Sequence, residues 1–526
     1  MPETVRVLID GRAVDAESGV TIAAAAINAG ERALRTSIRG ERRGVLCAMG
    51  ICFECRVTVD GHPHRRACMD LVRDGMSVET RAGGTGLAMR GPGRETRSAR
   101  LETVSCDVAV VGGGPAGVAA ACRAAEVGRR TLLLDENLAA GGQIYRRRPD
   151  REPPPKARPW LQRLARSGAA VRNGICVFDA VREKDGWRLS ASTDAGDLIV
   201  RARAVILATG ARELFLPFPG WTLPGVYGAG GAQALWKTGA SMRGRRALVA
   251  GSGPLLLPVA SSLSRAGARV VLIAEQAPLA ALTRFAGSLA SSPGKLLEAL
   301  RYRAAFAGAP YRSGTWVKEA RGDGGLERLV LTDGAAEFEV RCDVAAVGYG
   351  LVPNVELPRL AGCAIEGDRV TADASQRSSV PDVFCAGEIC GVAGLETAIA
   401  EGEIAGLAAA DRWEESSEAP RLTRARARGR RRAARMDATF APREELRALS
   451  RADTIVCRCE DVPLGRIASC GSAREAKLST RAGMGPCQGR VCGPALRFLF
   501  GWDWDTVRPP IKPTPLGSLV SVEELA

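Results

Sequence analysis

Alternating polar and apolar positions open the chain. Val5-Arg6-Val7-Leu8-Ile9 alternates, Asp10-Gly11 turns, and Arg12-Ala13-Val14 returns, which predicts a hairpin. Thr21 to Asn28 is an alanine- and isoleucine-rich run of helical length, stopped by Gly30. A further strand, Arg56-Val57-Thr58-Val59, meets a second Asp60-Gly61 turn. Gly91 to Arg100 is rich in glycine and arginine and predicts a linker. From Ser105 the pattern changes. Cys106 to Val111 predicts a buried strand, Pro115 to Val127 a helix closed by Gly128, and Thr131 to Leu134 a strand ending at Asp135. The same order recurs at Ala247-Leu248-Val249-Ala250, with a turn at Gly251-Ser252-Gly253 and a helix to about Ala266. The next strand, Arg269 to Ala274, ends at Glu275. Two such repeats predict two Rossmann-like units, one inserted in the other.

The composition suits a folded chain of several domains. Its 526 residues are 46% hydrophobic, and no run of 18 apolar residues appears. Met1-Pro2-Glu3-Thr4-Val5 lacks the basic and apolar regions of a signal peptide, so the expected location is the cytoplasm. In that compartment sixteen cysteines mean metal sites more often than disulfides. Eight of them (Cys106, Cys122, Cys176, Cys342, Cys363, Cys385, Cys390 and Cys470) are scattered and read as small core residues. The net charge is +15, with eight arginines and no acid between Arg421 and Arg435. Without interleaved aromatics or a nucleic-acid module, this run reads as a solvated linker or a docking face for an acidic partner.

The remaining eight cysteines form two sets. Cys47, Cys52, Cys55 and Cys68 have the spacing C-x4-C-x2-C-x12-C, a ligand set for a [2Fe–2S] cluster. Zinc sites more often pair C-x2-C units, and His62 and His64, expected in a turn, read as solvated. Strands, one helix and this loop suit a β-grasp ferredoxin fold. Cys457, Cys459, Cys487 and Cys492 form the second set, with Gly485 and Gly489 bracketing Cys487 to give a tight loop.

Between the sets lies Gly112-Gly113-Gly114-Pro115-Ala116-Gly117, a dinucleotide fingerprint that follows a strand and opens a helix. Its glycines admit a pyrophosphate, and Asp135, or the adjacent Glu136, is placed to accept ribose hydroxyls. Ala208-Thr209-Gly210 and Cys385-Ala386-Gly387-Glu388 each end a strand and resemble the closing motifs of two-dinucleotide flavoproteins. The second fingerprint carries Leu256 where a small residue normally permits close helix–strand packing, so nicotinamide binding there and an empty retained domain both stay open. No C-x4-C follows the first Rossmann helix, which argues against disulfide reductase chemistry. Cys385 and Cys390 share that spacing but sit in the closing motif. Both histidines lie in the ferredoxin segment, so no catalytic base is named and substrate oxidation is expected on another polypeptide.

These motifs carry a resemblance. Val45 to Cys55 with Arg65-Arg66-Ala67-Cys68-Met69 resembles the small ferredoxin-like subunit of hydrogen cyanide synthase and the opine oxidases. Asp135-Glu136-Asn137, Gly141-Gly142-Gln143-Ile144-Tyr145-Arg146, the Gly251 to Leu257 segment, Cys457 to Asp461 and Thr480 to Pro494 resemble the α subunit of the same enzymes. The chain looks like a fusion of the two, with sarcosine oxidase α and the dye-linked proline and hydroxyproline dehydrogenases as relatives. The resemblance implies a two-dinucleotide-binding flavoprotein core with an N-terminal β-grasp [2Fe–2S] domain and a small helical C-terminal [2Fe–2S] domain of the BFD type. The expected limits are 1–95 for the ferredoxin-like domain, 100–240 and 341–411 for the FAD-binding halves, and 241–340 for the inserted NAD(P)-like domain. An arginine-rich linker would span 412–450 and the C-terminal cluster domain and proline-rich tail 451–526.

The implied cofactors are FAD in the first nucleotide site (NAD or ATP in some relatives), two [2Fe–2S] clusters, and FMN at a subunit interface. Gly142 and Gln143 join Gly112, Gly114, Pro115, Ala116, Gly117, Asp135, Glu136, Ala208, Thr209, Gly210, Gly387 and Glu388 as the expected nucleotide contacts. The implied partner is a β subunit with a D-amino-acid-oxidase-like fold and its own FAD, which oxidises the C–N bond of an amino acid, imino acid or opine. Electrons would then reach a quinone, oxygen or carrier. Neither nucleic acid nor a transmembrane segment is expected, which leaves peripheral membrane association open. The competing expectation is a stand-alone NAD(P)H:acceptor oxidoreductase.

Overall fold

The computed structural model describes residues 3–80, 100–288, 293–306, 308–504 and 506–523. The linker expected at Gly91 to Arg100 lies outside them, apart from Arg100 itself. The chain folds as two compact units, each assembled from distant segments. Among the described residues no helix is long and apolar enough to cross a membrane.

Residues 1–91, 213–350 and 435–504 make the first unit. The opening hairpin pairs Thr4–Ile9 with Arg12–Glu17, and a mixed sheet of five strands continues through Ser77–Glu79, Arg56–Val59 and His62–Arg66. Its alternating residues Val5, Val7 and Ile9 are buried, as period two requires. They face the helix Ile22–Asn28, which Thr21 caps by accepting the Ala24 N–H. The two histidines depart from the expected turn: His62–Arg66 is a strand, with both rings exposed. The second fingerprint belongs to a parallel sheet ordered Val226–Gly228, Val344–Gly348, Arg246–Gly251, Arg269–Glu275, Tyr311–Ser313. Of the C-terminal cysteines, Cys457 and Cys459 lie on a small hairpin, Cys487 in a turn and Cys492 at the start of the helix Cys492–Phe500, with the short helices Leu464–Ala468 and Ala473–Thr480 between them in the chain.

Residues 92–212, 351–434 and 505–526 make the second unit. Its parallel strands Ala170–Asn173, Thr131–Asp135, Arg100–Val111 and Gly196–Leu207 carry the first fingerprint, with Val383–Cys385 parallel to the last of them. The helices Pro115–Glu126 and Leu395–Ala409 cross at small residues. A Cβ on Gly402 would lie 2.1 Å from the Ala116 carbonyl oxygen.

The segment expected as an arginine-rich linker is instead a continuous helix, Ala419–Phe440, with Leu422, Gly429 and Ala433 buried. Some of its arginines find acids on another helix. Arg430 grips Glu401, which is fully buried, at 2.6 Å, and Arg432 meets Glu396 at 3.3 Å. Removing the Arg430 guanidinium leaves a buried carboxylate held by the Gly387 N–H at 3.1 Å and by Arg426, 3.6 Å away. Arg430→Ala is therefore expected to cost about 3 kcal/mol, read as a lower urea midpoint.

Candidate functional site

The first glycine turn is shaped by close approach. Gly112 sits at φ +107°, and a Cβ there would lie 2.3 Å from the Ala208 carbonyl oxygen. A Cβ on Gly117 would lie 1.8 Å from the Gly112 carbonyl oxygen, so helix and strand pack at a distance only glycine allows. Gly114 differs. Nothing lies within 4 Å of the Cβ it lacks, which leaves the turn open where the helix starts. Gly142 packs on Gly114, and the Gly141 N–H donates to the Gly113 carbonyl at 2.7 Å.

Asp135 ends the neighbouring strand and is 4% exposed. Its Oδ1 accepts from the Asn137 main-chain N–H at 3.1 Å and side-chain amide at 3.0 Å. Its Oδ2 lies against Gly113 with no well-formed hydrogen bond. Burial pushes this carboxyl up, opposed by Asn137, the Gly113 N–H and the Lys512 charge. An orphaned carboxylate oxygen beside an open glycine turn at a helix N-terminus is a donor–acceptor set that fits an ADP moiety.

The other expected contacts adjoin this turn or lead away from it. Gly387 approaches Ala116, and Glu388 follows it, its carboxyl raised by burial against the pull of the Gly394 N–H and Arg430. Thr209 and Gly210 are tied to Asn354, whose amide donates to the Thr209 carbonyl at 2.9 Å. Gln143 accepts from Arg146 at 3.1 Å. Glu136 turns to Lys512 of the C-terminal segment, which is anchored where the Ile511 N–H donates to Phe178. Asn354 and Lys512 were not among the sequence candidates. The one signal for Lys512 is a cation inside a proline-rich tail.

The eight motif cysteines are all buried and none is in a disulfide. Among the described residues, no three or more His, Cys, Asp or Glu side chains converge on a single point. The sulfurs instead meet in twos. Cys47 is within hydrogen-bonding reach of Cys52, and Cys55 of Cys68. Cys457 likewise meets Cys492, and Cys459 meets Cys487. Two pairs per set is the donor arrangement of a two-iron cluster, in which each iron takes two thiolates. Burial pushes the Cys47 thiol up, but hydrogen bonds from Cys52 and from main-chain N–H groups outweigh it and bring it to about 6. Those N–H groups come from Met49, Ile51 and Cys52, a loop already arranged to hold a thiolate. Trp504 braces the second loop. Gly489, at φ +80°, leaves room for the indole, whose Nε1 would be 2.7 Å from a Cβ there. The two loops meet in the first unit, where the Cys459 sulfur is 4.0 Å from the carbonyl oxygen of Cys52, 407 residues earlier in the chain.

The second fingerprint departs from the first. Leu256 is buried and begins the helix Leu256–Arg265, five residues after Gly251, whereas Pro115 begins its helix three residues after Gly112. The bulky side chain blocks the close crossing that Gly117 permits. Glu275, at the ribose position, is fully buried and has used both oxygens, accepting from the Gly253 N–H at 2.8 Å and the Ala277 N–H at 2.9 Å. Burial raises its carboxyl to about 7 despite those bonds. The turn itself is covered by the chain. Ser252 donates to the Phe440 carbonyl at 2.7 Å, Gln276 donates to the Ala441 carbonyl at 2.9 Å, and the Phe440 ring lies 3.9 Å from where a Gly253 Cβ would be. NADH added anaerobically is therefore expected to leave flavin absorbance unchanged. Rapid bleaching would contradict this.

The family model for pyridine nucleotide-disulphide oxidoreductases matches residues 106–404, and that for the 2Fe-2S iron-sulfur cluster binding domain matches residues 2–83. The chain is 33% identical over 454 residues to hydrogen cyanide synthase subunit HcnB of Pseudomonas aeruginosa, covering 78% of this chain and 97% of that one. It is 32% identical over 479 residues to an opine oxidase subunit of Agrobacterium tumefaciens, covering 80% and 92%. L-proline dehydrogenase from P. horikoshii shares the fold, with a TM-score of 0.73 over 98% of both chains at 19% identity. The chain therefore belongs to the pyridine nucleotide-disulphide oxidoreductase family, among the relatives of HcnB and of the opine oxidase subunits, and carries a 2Fe-2S cluster binding domain in addition.

Proposed function

We propose that this chain is the electron-relay subunit of a hetero-oligomeric flavin-dependent dehydrogenase or oxidase acting on the C–N bond of an amino acid, imino acid or opine. The observation that carries this is the meeting of two sets of paired, buried thiols in one unit of a chain that also presents an open glycine turn. The relatives are named as subunits of a hydrogen cyanide synthase and an opine oxidase, which supports a second polypeptide. We assign substrate oxidation to that partner, a β subunit with a D-amino-acid-oxidase-like fold. FMN belongs at the interface with it, and FAD in the first nucleotide site of this chain.

A bound flavin supplies two-electron acceptance and the iron–sulfur centres supply one-electron transfer. The chain's own residues hold and orient these groups. The open turn at Gly114 and the helix N-terminus receive the pyrophosphate, and Asp135 orients the ribose. Cys47, Cys52, Cys55 and Cys68 are the ligands of one cluster and Cys457, Cys459, Cys487 and Cys492 those of a second, in loops that exclude water. Covering of the second fingerprint by Phe440 and Ala441 weighs against a stand-alone NAD(P)H oxidoreductase. The test is amine-dependent dye reduction by this chain alone and after co-expression with its partner. Turnover only with the partner supports the assignment, and full turnover by this chain alone overturns it.

A further inference from the structure

A fully buried ion triad joins the two cysteine loops. Glu54 lies between Cys52 and Cys55, and Arg458 lies between Cys457 and Cys459. Glu54 Oε1 accepts from Arg35 Nη2 at 2.6 Å, and its Oε2 accepts from Arg458 Nε at 3.0 Å. The side chains of all three residues are 1–2% exposed. Arg35 also donates to the Arg458 carbonyl at 3.0 Å. Arg458 donates to the Trp221 carbonyl at 2.8 Å and lies 4.7 Å from the centre of the Trp221 ring. A second buried pair runs beside the triad, from Arg43 to Asp461 at 3.0 Å.

As a stabilising device this triad is a poor choice. Desolvating three charges offsets most of what their attraction returns, and Arg35 Nε is left without a hydrogen-bond partner. Apolar side chains of similar size would fill the space at lower cost. What they would not supply is charge. Two guanidinium groups against one carboxylate leave a net positive centre between two sets of thiolates, in a medium that screens little. Charge and hydrogen bonding around a metal's ligands orient those ligands and tune the metal's potential.

We propose that Glu54, with Arg35 and Arg458, is a positioning residue shared by both cysteine sets, so that the two loops form one redox module that responds to a single charge. This rests on the reading that each set holds a two-iron cluster. No bond forms or breaks at the triad. It fixes the loops relative to each other and sets the field that both feel.

The test is a potentiometric titration of the full chain, prepared anaerobically and followed by electron paramagnetic resonance. Glu54→Gln removes a negative charge without changing shape and is expected to raise the reduction potentials of both iron centres. Arg458→Gln removes a positive charge and is expected to lower both. A structural role alone would alter iron retention or stability but would not move the potentials in opposite directions. If either variant loses iron, Arg458→Lys decides the question. It keeps the charge, so potentials near wild type support the proposal, and a fall of the kind expected for Arg458→Gln overturns it. Shifts confined to one centre, or no shift in either variant, also overturn it. Wild-type iron well below about four per chain would instead sink the two-cluster reading and the proposal with it.

Discussion

Replacing Cys52 with alanine is expected to remove about half of the chain's iron and to cut dye reduction by the partnered enzyme more than 100-fold, roughly the upper limit for losing an outer partner of a metal site. Cys52 is 2% exposed and meets Cys47, so in the proposed cluster the substitution would leave one iron with a single thiolate. Disruption would also be felt across the loop contact, because the Cys52 carbonyl is what the Cys459 sulfur approaches. Iron analysis and visible absorbance of Cys52→Ala beside wild type check the first part. A scattered cysteine, Cys470, is the control. It is half-buried, belongs to neither set, and its alanine variant is expected to keep full iron.

The second large effect is at the glycine turn, where two substitutions separate folding from binding. Gly117→Val puts carbon 1.8 Å from a main-chain oxygen. Backbone on both sides cannot yield, so the helix Pro115–Glu126 must move off its strand, at a cost of about 3 kcal/mol, the upper end for overpacking. Flavin retained after desalting is expected to fall below about a tenth of the wild-type level, because the helix N-terminus no longer faces the pyrophosphate. Gly114→Ala meets open space and keeps φ −71°, which alanine adopts freely. It is expected to fold with wild-type stability yet bind flavin about tenfold more weakly, since the added methyl occupies the approach of the phosphates. Equal flavin retention in wild type and Gly114→Ala would remove this turn from the nucleotide site.

Much of this architecture was legible in the sequence because its signals are local. Alternation marked the opening hairpin, and Gly112 to Gly117 follow a strand and open a helix as the pattern predicts. The misreadings came from what is not local. Arg421 to Arg435 looks like a solvated connector because Glu401 and Glu396, the acids that pair with Arg426, Arg430 and Arg432, belong to a different helix. Leu256 marked the second fingerprint as altered, but nothing near it in sequence pointed to Phe440 and Ala441 as its cover. Glu54 and Arg458 each look like a spacer between cysteines. Only the fold brings them to 2.9 Å. Likewise, the 407-residue separation of Cys52 and Cys459 hid the meeting of the two loops.

Anaerobic titration of the full chain with dithionite tests the central claim most directly. A flavin that takes two electrons and two iron–sulfur centres that take one each predict about four reducing equivalents per chain, with a paramagnetic iron signal at the end point. An uptake of about two equivalents or fewer, with no such signal, would contradict the account.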